Sequence, residues 1–324
     1  MTSQQIMTSQ QMSEAEYVAR EFGVSSINNA FIAGVMFNPL NLARARLQLQ
    51  HDLAPNTYRS LRHCLSRIAA EDGIGALWRY GVTMSAFREA TYGGGQWGLY
   101  TPFKALLGVE DEDPSMVRKM GAGLLSGAVS AAFVTPVDRI MIKQFVESGR
   151  THPATGLYST GLYIGKPPSY TGTADILRQI LRADGVKGLY RGWEPTVVRA
   201  ALITMGLTVS YDTTKELAVK WGTMNEGTGL HVVASVVSGV TASVLCAPPD
   251  IVKSRMMAAP EIYTRGPFHC AAAIVRHEGM LGLYKGVFAN ISRLCPAVVV
   301  QMPIMEQLRR LAGLEYFGKQ AVRE

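Results

Sequence analysis

Three arginines, Arg88, Arg199 and Arg293, are the residues of this chain whose type and placement point most directly to chemistry. Each follows a glycine (Gly81, Gly192, Gly286) by seven residues, and each interrupts an apolar segment, near residues 82–107, 195–219 and 287–311. An ionisable residue inside such a segment faces the interior of a helix bundle or a water-filled cavity. Unpaired guanidinium groups in a partly desolvated site repel one another, and each presents a planar fork suited to two oxygens of one anion. They would favour a small ligand with two or more separated negative oxygens. Glu89 is adjacent to Arg88, but neighbours on a helix point about 100° apart, so the arginines are expected to be free of protein partners.

Covalent chemistry is not indicated. No nucleophile, base and orienting group occur in a recognisable constellation. His51, His63, His152, His231, His269 and His277 lack ligand spacing, and Cys64, Cys246, Cys270 and Cys295 show no C-x-x-C pairing. Neither a zinc site nor a disulfide framework is expected, and the reading is of a protein without metal, cofactor or enzymatic activity.

The elements that must position these arginines are apolar helices. Of 324 residues, 48% are hydrophobic and only 18% charged, and Phe22 to Ala43, Met120 to Val137 and Gly227 to Pro249 contain no Asp, Glu, Lys or Arg. Each run has the roughly 20 residues needed to span a bilayer core. A mean hydropathy of +0.09 is low for six spans, which suits helices with one face on lipid and another on a polar cavity; a soluble helical bundle is the alternative. The net charge of +7 forms no nucleic-acid patch, because Lys and Arg concentrate in three long connections (Arg59, Arg62, Arg67; Lys166, Arg178, Arg182, Lys187; Arg265, Arg276) while Glu110-Asp111-Glu112-Asp113 is an acidic short one. The positive-inside rule places the long connections on the inner compartment.

Two patterns recur three times in alternation. The first is a proline followed by an acid at +2 and bases at +5 and +7, fullest in Pro248-Pro249-Asp250-Ile251-Val252-Lys253-Ser254-Arg255 and repeated from Pro136 (Asp138, Met141, Lys143) and Pro39 (Asn41, Arg44, Arg46). The second is Asp72-Gly73 to Trp78-Arg79, Asp184-Gly185 to Tyr190-Arg191 and Glu278-Gly279 to Tyr284-Lys285. Self-similarity at this period means one structural unit used three times. A proline inside a helix kinks it, which would tilt three helix ends together, and positions +2, +5 and +9 share one helical stripe. Small residues at Ser26, Ala30, Gly34, Gly123, Gly127, Ser235 and Gly239 are read as close-packing positions.

This motif set resembles the mitochondrial carrier family, over roughly residues 24–312. The resemblance implies an all-α membrane protein: three tandem repeats of two transmembrane helices plus a short matrix helix, in a pseudo-threefold six-helix barrel around a central cavity. The segments are 1–22 (N-terminal extension), 23–113, 114–224 and 225–314 (repeats one to three) and 315–324 (tail). The N-terminal extension, with Glu14, Glu16 and Glu21 against Arg20, is not a transit peptide. The implied location is the mitochondrial inner membrane, multi-pass, with termini toward the intermembrane space, as a monomer.

The resemblance places substrate contacts at Arg88, Arg199 with Ala200, and Arg293. It pairs the acid of each repeat with the +5 base of the next, giving a matrix gate of Asp138 with Lys253 and Asp250 with Arg44, a neutral Asn41 and Met141, and Gln48 as a bracing glutamine. The intermembrane-space gate would come from Tyr100-Thr101-x-x-Lys104, Tyr211-Asp212-x-x-Lys215 and Met305-Glu306-x-x-Arg309, with Asp212–Arg309 and Glu306–Lys104 pairs and Lys215 left without an acid. The Trp78-Arg79, Tyr190-Arg191-Gly192 and Tyr284-Lys285-Gly286 corners would meet lipid, cardiolipin in the family, or act as interfacial anchors. Local wording around Arg88, Arg199 and Arg293 is similar to dicarboxylate and oxoglutarate carriers, with uncoupling proteins as near relatives. Gln96 stands where oxoglutarate-type carriers align another arginine. The expected function is exchange of malate, succinate, oxaloacetate, 2-oxoglutarate or phosphate; alternatives are a fatty-acid-dependent proton conductor and a non-transporting homologue. No function attaches to the extra loop at 148–168.

Overall fold

A computed structural model describes residues 14–53, 57–108, 116–220, 228–259, 261–263 and 265–312. Among them the regular structure is helical, apart from one isolated antiparallel bridge between Thr151 and Tyr158. The first rod comprises α1 (Glu14–Asn29), a π-helical stretch (Ala30–Met36) and α2 (Asn38–Leu53). It is followed by α3 (Leu61–Glu71), the single turn α4 (Ala76–Arg79) and α5 (Val82–Leu106). Then come α6 (Met116–Val146), α7 (Thr173–Leu189), α8 (Trp193–Lys220), α9 (Thr228–Ala258), α10 (Pro267–Glu278), a 3-10 turn (Met280–Tyr284) and α11 (Val287–Leu311).

The long rods close a ring: α1 packs on α5, α5 on α6, α6 on α8, α8 on α9, α9 on α11, and α11 back on α1. At one end α2, α6 and α9 also meet pairwise, so the three proline-bearing rods converge there. At about 1.5 Å per residue the 25 residues of α5 and of α11 reach roughly 37 Å, enough to cross a bilayer. Among the described residues, Met120–Val146 and Val233–Ala258 alone are also apolar enough to be recognised as spans by composition. The others carry the polar inward face that lowers their hydropathy.

The rods bend differently at their prolines. Helices α6 and α9 run unbroken through Pro136 and Pro248-Pro249, whereas the first rod breaks at Phe37 after its π-helical stretch, where Phe37 N donates to Ile32 O at 3.1 Å. Pro39 has no N–H to offer the Val35 carbonyl four residues earlier. The indole Nε1 of Trp78 donates to that carbonyl at 3.0 Å, so the aromatic of the first Gly-containing corner caps the break.

Close helix approach is real at Gly34, where an added Cβ would stand 2.5 Å from Ala86 Cα. It is absent at Gly123 and Gly127, whose nearest neighbours are side chains at 3.8 Å or beyond, Thr204, Tyr92 and Gln96 among them. The packing role expected there is therefore corrected: these glycines face polar side chains across the interior. On α8 the tight crossing is instead at Gly206, where an added Cβ would stand 2.8 Å from Ala242 Cα.

Just beyond the converging ends lies an apolar cluster of Leu42, Leu49, Tyr58, Cys64, Ile68, Phe145 and Leu162. Burial pushes the Cys64 thiol up to about 12, so it is an inert packing group. Leu162 belongs to the long loop after α6, and that loop is bonded across repeats. Arg46 Nη2 donates to Ser148 O and Oγ, both at 2.7 Å, and Thr160 Oγ1 donates to Asp72 Oδ1 at 2.7 Å. The insertion thus straps the second repeat onto the first.

The strap explains a break in symmetry. In the third repeat the +7 base and the acid of the corner pattern pair within the repeat, Arg255 with Glu278, both buried. In the second, Asp184 takes Arg139 at 2.7 Å, while Lys143 Nζ donates to Gln179 Oε1 at 3.0 Å. In the first, Arg46 and Asp72 both turn to the strap.

Candidate functional site

The interior narrows toward the converging end to a small cavity lined by Asn41, Arg44, Gln48, Arg88, Glu89, Asp138, Met141, Arg199, Lys253 and Arg293. Its volume of about 60 Å³ has room for a few water molecules. Arg88 comes from α5, Arg199 from α8 and Arg293 from α11, all buried, because the same seven-residue step from a corner glycine sets each at the same height. Ala200, beside Arg199, is buried.

The arginines are not free, which corrects the expectation from sequence. Arg88 Nη1 donates to Glu89 Oε1 at 2.8 Å and its Nε to Asp138 Oδ1 at 3.0 Å. Arg199 Nε is in charge contact with Asp250 Oδ1. Arg293 Nη1 stands 3.8 Å from Glu89 Oε1, and its Nε is buried with no hydrogen-bond partner among the described residues. The reason is physical: in a narrow, buried interior guanidinium groups are drawn to whatever carboxylates lie within reach. Arg88 and Glu89 diverge at the backbone, but both side chains are long enough to curl into one cavity.

The converging helix ends bring together Lys253 Nζ and Asp138 Oδ2 at 2.5 Å, and Arg44 Nη2 and Asp250 Oδ1 at 3.0 Å. Asn41 and Met141 line the same cavity. Asn41, however, spends its amide on Ala33 O (3.0 Å) and Ser85 Oγ (3.3 Å), and Met141 packs against the apolar cluster. Gln48 Oε1 accepts from Ser254 Oγ at 2.9 Å, bridging first and third repeats.

At the opposite end Arg309 Nη1 donates to Glu21 Oε1, and Nη2 to Tyr17 Oη at 3.3 Å. Glu21, a buried acid on α1, was not foreseen there. The Asp212 and Glu306 side chains lie outside the described residues, so the pairs expected of them do too. Lys104 stands over the Tyr100 ring at 6.0 Å. Tyr211 and Lys215 lie on α8 and are engaged, so Lys215 is not left without a partner. At the corners Arg191 Nη2 donates to Tyr263 O at 2.8 Å and Lys285 Nζ to Glu278 Oε2 at 2.6 Å.

Five cationic side chains (Arg44, Arg88, Arg199, Lys253, Arg293) and three carboxylates (Glu89, Asp138, Asp250) meet at this centre. The described groups therefore carry two net positive charges. A closed ring of membrane-length helices, threefold in its sequence and with a cluster of buried charges at its centre, is the architecture of a membrane transporter. Residues 16–111, 112–221 and 225–315 each match the mitochondrial carrier protein family, and the chain belongs to it.

Members of that family are transporters rather than enzymes. The chain is 32% identical to mitochondrial uncoupling protein 5 of Arabidopsis thaliana, over 90% of this chain and 96% of that one. It is 30% identical to the mitochondrial oxaloacetate transport protein of Saccharomyces cerevisiae, over 87% and 86%. It is 28% identical to a probable mitochondrial 2-oxoglutarate/malate carrier protein of Dictyostelium discoideum, over 86% of each.

Proposed function

We propose that this protein is an antiporter of the mitochondrial inner membrane that exchanges small dianions by alternating access: malate, succinate, oxaloacetate, 2-oxoglutarate or phosphate. The observation that carries this reading is the charge balance of the central cavity, two positive charges in excess among the described residues, where the buried Nε of Arg293 has no hydrogen-bond partner. A dianion neutralises that excess. Relatives named for oxaloacetate and for 2-oxoglutarate and malate support the same chemistry.

In this reading Arg88, Arg199 and Arg293, with Ala200 alongside, form the substrate site. Asp138–Lys253 and Asp250–Arg44, with Gln48, hold the matrix gate shut; Asn41 and Met141 are its neutral members. Tyr100, Lys104, Tyr211, Asp212, Lys215, Glu306 and Arg309 form the intermembrane-space gate. The termini face the intermembrane space, each of the three repeats supplies one pair of spans, and the protein works as a monomer among cardiolipin.

In this reading site and gate are also coupled. Asp138 receives Arg88 on one oxygen and Lys253 on the other, and Asp250 receives both Arg199 and Arg44. A substrate that draws Arg88 and Arg199 toward itself removes a partner from each gate carboxylate. Binding then weakens the closed matrix gate, so the substrate's differential affinity drives the switch.

Relatives named as uncoupling proteins favour a second reading, a fatty-acid-dependent proton conductor. Proteoliposomes decide between them. Uptake of labelled malate that depends on internal dianion supports the antiporter; proton leak stimulated by fatty acid with no such exchange supports the alternative.

A further inference from the structure

We infer that Glu89 sets the valence of the anion this carrier accepts, by occupying one cationic position of the empty site and leaving room for two negative charges rather than three. The inference rests on the antiporter reading above and deepens it.

Glu89 has the position such a role requires. Its side chain is 10% exposed, and one oxygen, Oε1, faces both Arg88 at 2.8 Å and Arg293 at 3.8 Å. Among the described residues it is the carboxylate at the centre that comes from the helices carrying Arg88, Arg199 and Arg293, whereas Asp138 and Asp250 come from the converging rods α6 and α9. Asp138 and Asp250 are matched by Lys253 and Arg44, so those four groups sum to zero. The remaining balance is three arginines against Glu89 alone.

The chemistry follows from this arithmetic. In a low-dielectric cavity an uncompensated charge costs far more than in water, so the favoured ligand brings the site close to neutrality. With Glu89 ionised that ligand has two charges. Specificity is then also a matter of repulsion: a third carboxylate on the ligand would meet the Glu89 carboxylate across Arg293.

The test compares initial exchange rates for malate and citrate at pH 7.5 in proteoliposomes loaded with the same anion, using wild type, Glu89→Gln and Glu89→Asp. Glu89→Gln is expected to lower the malate-to-citrate rate ratio by about tenfold or more, while Glu89→Asp keeps it within about twofold of wild type. The proposal is overturned if Glu89→Gln retains the wild-type ratio, or if it slows both anions alike. Thermal stabilisation of the detergent-purified proteins by each anion provides a readout for a variant too poorly reconstituted to exchange. There, a Glu89→Gln protein that keeps the wild-type preference for malate over citrate undiminished overturns the proposal as well. A wild-type protein that neither exchanges nor binds any dianion would sink the antiporter reading itself, an outcome distinct from an unchanged ratio.

Discussion

Arg88 Nε lies 3.0 Å from Asp138 Oδ1, on the carboxylate oxygen that Lys253 leaves open. One aspartate is thereby shared between a residue of the central arginine set and a residue of the converging helix ends. The two groups cannot be perturbed independently.

Arginine at these positions supplies fork geometry as well as charge, since Arg88 reaches Glu89 and Asp138 with different nitrogens. Lysine keeps the charge but cannot make both contacts in that plane. Arg88→Lys, Arg199→Lys and Arg293→Lys are each expected to reduce dianion exchange at least about tenfold, measured as initial rates in proteoliposomes. Normal exchange by all three lysine variants would remove these residues from the site.

Asn41 and Met141 border a cavity that already holds excess positive charge, so new charges there should not be equivalent. Met141→Lys adds to the excess and is expected to cost about 3 kcal/mol; Asn41→Asp relieves it and is expected to cost less. The double variant should show a coupling of about 0.5–3 kcal/mol in a thermal-shift cycle with an inhibitor holding the gate shut. Strict additivity would mean that the two positions do not face each other.

The loop at 148–168 is expected to contribute stability through its cross-repeat bonds. Thr160→Val removes a hydrogen bond to a carboxylate whose Oδ2 already lacks a partner among the described residues. A loss of roughly 1.5–3 kcal/mol is expected, and the part of it that comes from the Thr160–Asp72 contact should vanish in an Asp72→Ala background, leaving only the bond that Thr160 Oγ1 accepts from Arg150 N.

Acid should weaken the third-repeat pair. Burial raises the Glu278 carboxyl, but hydrogen bonds and charge from Arg255 and Lys285 outweigh it and hold the group below its ordinary value. A depressed carboxyl contributes stability that is present above the unfolded value near 4.5 and is lost as pH falls through the lower folded one. The stability gap between wild type and Glu278→Gln should therefore narrow below about pH 4.5. A gap independent of pH from 6 to 3 would show that Glu278 carries no such linkage.

The rods and the arginine register were legible because both repeat: a proline motif, a glycine corner and a seven-residue step recur three times. What one copy does alone was not legible. The break at Phe37 is capped by Trp78 reaching Val35 from another element, and the strap is held by Arg46 turning away from its own repeat. Glu89 was misjudged because a helical wheel fixes backbone direction, while a long side chain curls toward the nearest charge. Glu21 had no repeat to mark it, and only the packing of α1 on α11 brings it to Arg309.

The central claim, a site that accepts two negative charges, is tested most directly by a valence series. Initial exchange rates are measured in one batch of proteoliposomes for anions on short saturated carbon chains that differ in charge: butyrate, succinate and tricarballylate, each against internal malate. The cavity's charge balance predicts that succinate is exchanged at least about tenfold faster than either of the others. Equal rates across the series, or preference for the monoanion, would contradict it.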